Sequence, residues 1–224
     1  MFTEATLTFL NELEDHNDRA WFAKNKVRYE RDVRDPALAF VRAVGESLPE
    51  VSSAFLSSEK RVGGSLMRVY RDTRFSKDKS PYKTNIGIQF RHAAGKDVHA
   101  PGLYVHVELG QAFVACGLWR PESAALKRIR THMVANAEAY SKVIRDPVFT
   151  EVFALQGESL KRAPRGFDAE HPLIDELKRK SIIAVSDLAM EDVLGERLVE
   201  LTLDRFARGA PFVRFLCDAV GQPF

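Results

Sequence analysis

Residues 103–119 read LYVHVELGQAFVACGLW, and this stretch decides the fold. Leu103, Val105, Val107 and Leu109 alternate with Tyr104, His106 and Glu108, the period of a strand with one apolar and one mixed face. Gly110-Gln111 supplies a compact turn and residues 113–119 a second strand, so the segment predicts a hairpin. Upstream, Ile86, Ile88 and Phe90 alternate with Gly87, Gln89 and Arg91 as a third strand. Residues 66–71 read as a fourth and 181–185 as an additional one, and short connections favour antiparallel pairing.

Outward from these strands the period changes to that of helices. Leu7, Leu10 and Leu13 recur at helical spacing behind Thr3, a capping residue. Asp18 is placed to cap a second helix carrying Trp21, Phe22, Tyr29 and Val33, which Pro36 is expected to end or kink. A further helix runs through Leu38, Val41 and Val44 and stops around Pro49. Pro121 is expected as the first residue of a helix striped by Leu126, Ile129 and Met133, and Asp146-Pro147 opens another. Residues 196–207 and 211–220 read as two more, parted at Pro211. The expectation is one α+β domain over residues 1–224, helical over 1–50, mainly β over 62–120 and mainly helical over 121–224. Its centre is an antiparallel sheet of four or five strands flanked by the N-terminal and C-terminal helices.

With 224 residues, 45% of them hydrophobic, the chain can bury a substantial core. Its 33 basic and 31 acidic residues nearly cancel, so global charge makes no case for a nucleic-acid or membrane partner. Cys116 and Cys217 lack the spacing of a disulfide framework or a zinc site, which favours a reducing compartment. No apolar run approaches membrane-spanning length and no leader-like segment opens the chain, so a cytoplasmic location without a membrane partner is expected. Neither a cofactor nor a metal is expected, and nothing sets the oligomeric state.

Local charge is more informative. Between Lys60 and Lys83 stand eight basic residues and two acids, Asp72 and Asp78, a local charge of +6. Arg68, Arg71, Arg74, Lys77, Lys79, Tyr82 and Lys83 would then form, on the strand and loop of residues 68–85, a site for a phosphate- or carboxylate-bearing ligand, a nucleotide or nucleic acid among them. Tyr70, Phe75 and Tyr82 add faces for stacking. The structural alternative pairs Asp72 and Asp78 with neighbouring cations, leaving the rest solvated. A second functional reading is an enzyme acting on a phosphorylated substrate with Asp72, His106 and Glu108 as acid, base or metal ligands, since His106 and Glu108 share a strand face beside Tyr104. His99 lies in the preceding loop within possible reach of them. A third reading is an interaction protein for which the motif is scaffold. Cys116, between apolar neighbours, reads as an inert core residue. Gly63-Gly64-Ser65 lacks the pattern of a phosphate loop and reads as a turn, and Lys161, Arg162 and Arg165 read as a solvated basic group.

Residues 70–84, YRDTRFSKDKSPYKT, resemble the hallmark of the family known as domain of unknown function 2461. The blocks Asn17–Phe22, Asn25–Glu30, Gly102–His106, Gly117–Pro121 and Leu160–Phe167 are similar to other marks of that family, so the resemblance covers nearly the whole chain. Ala115-Cys116-Gly117 departs from the glycine-richer form of the central block. The resemblance implies a single domain and carries over no activity and no catalytic residue.

Overall fold

The computed structural model describes residues 1–94 and 100–224. Six strands form one antiparallel sheet: β1 (Phe55–Leu56), β2 (Asn85–His92), β3 (Gly102–Glu108), β4 (Gln111–Leu118), β5 (Ala154–Gln156) and β6 (Ile182–Leu188), in the order β1-β2-β3-β4-β6-β5. The α+β class and the hairpin stand as expected, but the sheet has six strands where four or five were expected. The edges β1 and β5, two and three residues long, are too short to show a period. Residues 66–71 are not a strand. They make two isolated bridges, Leu66 to Ile88 of β2 and Tyr70 to Tyr82 ahead of it. Four steps along one segment span six along the other, so the register slips and no ladder forms.

Register puts Ile88, Val105 and Val114 side by side on one face, all fully buried. Helices α3 (Asp35–Val51), α4 (Ser123–Ala135) and α9 (Leu198–Val220) accompany that face, with α9 packed directly on β4 and β3. Phe90 meets Phe206 of α9 edge-on at 5.8 Å between ring centres. The smaller helices are α1 (Glu4–Asp15), α2 (Arg19–Tyr29), α5 (Ala137–Ile144), α6 (Pro147–Thr150), α7 (Ile174–Leu177) and α8 (Met190–Leu194). Asp18 caps α2 as expected, its carboxylate accepting from the backbone N–H groups of Ala20 and Trp21. Pro121 lies ahead of α4, which begins at Ser123. Among the described residues no helix is long and apolar enough to cross a membrane.

The two prolines expected to interrupt helices do not end them. After α2 the chain makes a π-helical turn, Glu30–Arg34, and runs on into α3 with Pro36 in its first turn. Proline has no N–H to offer the carbonyl four residues back, that of Asp32. The buried hydroxyl of Thr6 in α1 donates to that carbonyl at 2.7 Å instead, so α1 supplies the bond that Pro36 cannot. Pro211 lies on the exposed side of α9 while Phe206, Phe212 and Leu216 are buried on the other, and packing holds both halves in one helix. Pro49 likewise sits inside the last turn of α3.

Gly117, the penultimate residue of β4, has φ 119°, and a Cβ there would stand 2.1 Å from the Ile182 carbonyl oxygen of β6. Gly117→Ala is expected to lower stability by about 3 kcal/mol or more, read from urea unfolding; a loss within experimental error would show that β4 and β6 can part there without cost. Thr6→Val, which keeps shape and removes the donor, is expected to cost about 1–3 kcal/mol because it leaves the Asp32 carbonyl unpaired, in the same measurement.

Candidate functional site

The face of the sheet away from α9 is where polar chemistry collects. Register sets His106 between Gly87 and Phe113, Tyr104 between Gln89 and Ala115, and Val185 and Ile183 beyond them on β6. Together with Met67, Trp119 and Gln156, all of these but Gly87 line a cleft of about 590 Å³. Trp119 is two-thirds exposed. Gly87 is what lets Tyr104 lie across β2: a Cβ there would be 2.8 Å from the Tyr104 hydroxyl and 3.1 Å from the Met67 sulfur.

His106 is held from both ends. Its Nε2 lies 3.3 Å from a Glu108 carboxylate oxygen, and its Nδ1 lies 3.1 Å from the Tyr104 hydroxyl and 3.4 Å from the Asn85 amide nitrogen. The ring stacks on Phe113 at 4.6 Å between centres with planes 6° apart. A carboxylate accepts and cannot donate, so it favours the tautomer with the proton on Nε2; Nδ1 is then the acceptor for the Tyr104 O–H. Burial, and next the Glu108 charge, pushes the Tyr104 phenol up to about 12, so it is neutral at physiological pH. Among the described residues no three His, Cys, Asp or Glu side chains gather as metal ligands. The arrangement can orient a hydrogen-bonding group of a bound molecule and pass a proton along the chain from Tyr104 to His106.

Of the expected enzyme trio, His106 and Glu108 come together, whereas Asp72 is held by Arg74 through contacts of 2.9 and 2.7 Å. His99 lies outside the described residues. Cys116 is buried against the helical layer, where desolvation pushes its thiol far above the usual range, in keeping with an inert core residue. Lys161, Arg162 and Arg165 are exposed.

The basic segment is largely occupied with itself. Arg71 pairs with Asp78, whose carboxylate also accepts from the backbone and hydroxyl of Ser80. Lys79 donates to the Thr73 carbonyl at 2.9 Å. Tyr82 is buried, stacked on Phe22 at 4.0 Å, and its backbone is clasped on both sides by the Asn17 side-chain amide at 3.0 and 3.1 Å. Arg68 and Lys77 are exposed, Lys83 is partly buried, and none of the three makes an ion pair among the described residues. The Lys83 ammonium is lowered from its ordinary range by burial first and by Arg68 second. Sequence reasoning passed over Met67, Phe113, Trp119, Ile183 and Val185. The hairpin register already puts Phe113 opposite His106; the pairing of β6 with β4, which brings in Ile183 and Val185, has no local signal.

A family model described as "Conserved hypothetical protein (DUF2461)" matches residues 5–215. No curated protein matches the chain. The Asn17–Tyr82 and Phe22–Tyr82 contacts join two blocks that carry the family resemblance, so the two share a packing cause.

The ion pairs of the loop carry a pH signature. The Arg74 guanidinium and backbone N–H hold the Asp72 carboxyl down to about 2, and Arg71 with Ser80 holds Asp78 lower still. A carboxyl depressed by folding stabilises the folded form above its unfolded value, about 3.9, and that contribution is lost as pH falls through the folded value. Carbon-detected NMR titration is therefore expected to place the Asp72 midpoint near 2 with Asp78 below it, the loop loosening only under strong acid. Midpoints at the ordinary aspartate value would mean that the pairs do not persist in solution.

Proposed function

Because the chain belongs to the DUF2461 family, whose description assigns no activity, we propose a function from its own geometry: it binds a compact, largely apolar small molecule in the sheet-face cleft and handles one of that molecule's protons through Tyr104, His106 and Glu108. The supporting observation is an imidazole gripped at both nitrogens on the wall of a hollow of about 590 Å³. Small-molecule sites are mostly apolar clefts of about 300–1,000 Å³ with a few convergent polar groups, and this cleft has that character.

An O–H or N–H of the ligand donates to the Tyr104 oxygen. As that proton moves onto the Tyr104 oxygen, Tyr104 passes its own to His106 Nδ1, so the phenol stays neutral, the ligand is left as its conjugate base and the imidazolium so formed faces the Glu108 carboxylate. Phe113, Ile183 and Val185 exclude water along the rest of the ligand and strengthen the polar contacts at its head. An anion at Arg71, Arg74 or Lys79 would instead displace the Asp78, Asp72 and Thr73 oxygens already there. Geometry thus favours the cleft over the loop of residues 68–85 as the principal site.

Fragment binding by ligand-observed NMR tests this. Small aromatic and aliphatic alcohols and phenols are expected to perturb Val185, Ala115 and the His106 ring, and Ala115→Phe is expected to fill the cleft and abolish the effect while the protein stays folded. Tyr104→Phe is expected to weaken fragments bearing a donor about tenfold and to spare purely apolar ones. Nitrogen-15 spectra are expected to show the His106 proton on Nε2. Fragments that leave every cleft resonance unmoved, or a proton on Nδ1, would sink the proposal.

A further inference from the structure

A second, smaller hollow of about 130 Å³ opens between α2 and residues 59–70, sharing Met67 alone with the cleft. Phe22, Lys26 and Tyr29 lie on one face of α2, at the four- and three-residue steps that bring side chains into line. Lys60, Arg61 and Arg68 face them across the opening. The two carboxylates on its wall are already engaged: Glu30 accepts from Arg34 at 3.1 Å and Glu59 from Arg42 at 2.6 Å. Lys26, Lys60, Arg61 and Arg68 make no ion pair among the described residues. Among the described residues the hollow thus carries four cations outside any ion pair, more positive charge than its two engaged carboxylates offset.

We propose that this hollow is a binding site for the dianion of a phosphate monoester, in a position independent of the cleft reading. Two guanidinium forks, Arg61 and Arg68, suit the tetrahedral oxygens better than ammonium groups do. A volume of about 130 Å³ equals about four waters at ~30 Å³ each, enough for a phosphate group. Tyr29, its phenol pushed up to about 12 chiefly by burial, keeps its proton and can donate it to the anion. Tyr70, 55% exposed, offers a ring against which the organic part of the ester can lie. Lys83, its ammonium lowered by burial first and by Arg68 second, lies within reach of the same cations. The excess positive charge of residues 60–83 thus acts at the entrance to the segment, where it meets α2, and less along the loop that follows.

Inorganic phosphate and adenosine 5′-monophosphate titrated into the full chain, followed by amide NMR and calorimetry at ionic strength matched with chloride, test the site. Both are expected to shift Lys26, Arg61, Arg68 and Tyr70, and Arg61→Ala and Arg68→Ala each to weaken binding about tenfold or more, with Arg68→Lys recovering part. A Tyr70→Ala loss confined to the nucleotide supports the site with ring stacking added, and affinities for both ligands unchanged by that substitution support the site with the phosphate as the whole determinant. Tyr104→Phe is expected to leave phosphate binding unchanged, which separates this result from the fate of the cleft reading. Shifts spread equally over Lys77, Lys127 and Arg128, shifts reproduced by chloride, or unaltered binding in the Arg61→Ala/Arg68→Ala double variant would overturn the proposal.

Discussion

Every feature of this molecule depends on the register of β3. Hydrogen-bonded between β2 and β4, it directs Leu103, Val105 and Val107 into the helical layer and Tyr104, His106 and Glu108 to the other side. A slip of one residue would exchange the two sets, placing a carboxylate and an imidazole against Phe206 and Phe212 and putting three aliphatic side chains in water. The cost of that exchange far exceeds anything a single contact contributes. Core and cleft are therefore one decision taken twice, once on each face of the same strand.

The helical layer shows the same economy in its backbone. A proline in the first turn of α3 leaves the Asp32 carbonyl without its helical partner, and a side chain from a different helix completes the bond. The π-helical turn just before it is where α1, α2 and α3 are locked together. In α9 the constraint runs the other way: a buried row of aromatic and aliphatic residues on both sides of Pro211 outweighs the one hydrogen bond the proline lacks.

Legibility followed the range of the interactions involved. The hairpin, the Asp18 cap and the strand near 181–185 were readable because a strand's period, a cap's chemistry and a turn are local. A helix end at Pro36 and a break at Pro211 were misread because what overrides them, the Thr6 hydroxyl and the sheet, lies far away in sequence. His106 and Glu108 were readable as neighbours from their two-residue spacing, yet the cleft around them needs β6 beside β4, a pairing across more than sixty residues. Charge counting found the basic segment but could not sort it. Asp72 and Asp78 are close enough in sequence to neutralise Arg74 and Arg71, whereas Phe22, Lys26 and Tyr29, which Arg61 and Arg68 face across the hollow, come from α2.

Met67 stands in the wall of both hollows, on a segment tied to the sheet by bridges rather than a ladder. Its thioether is unbranched and turns about three bonds, which makes it the softest partition the chain could have placed there. The two hollows therefore share one boundary, and that boundary is a single side chain.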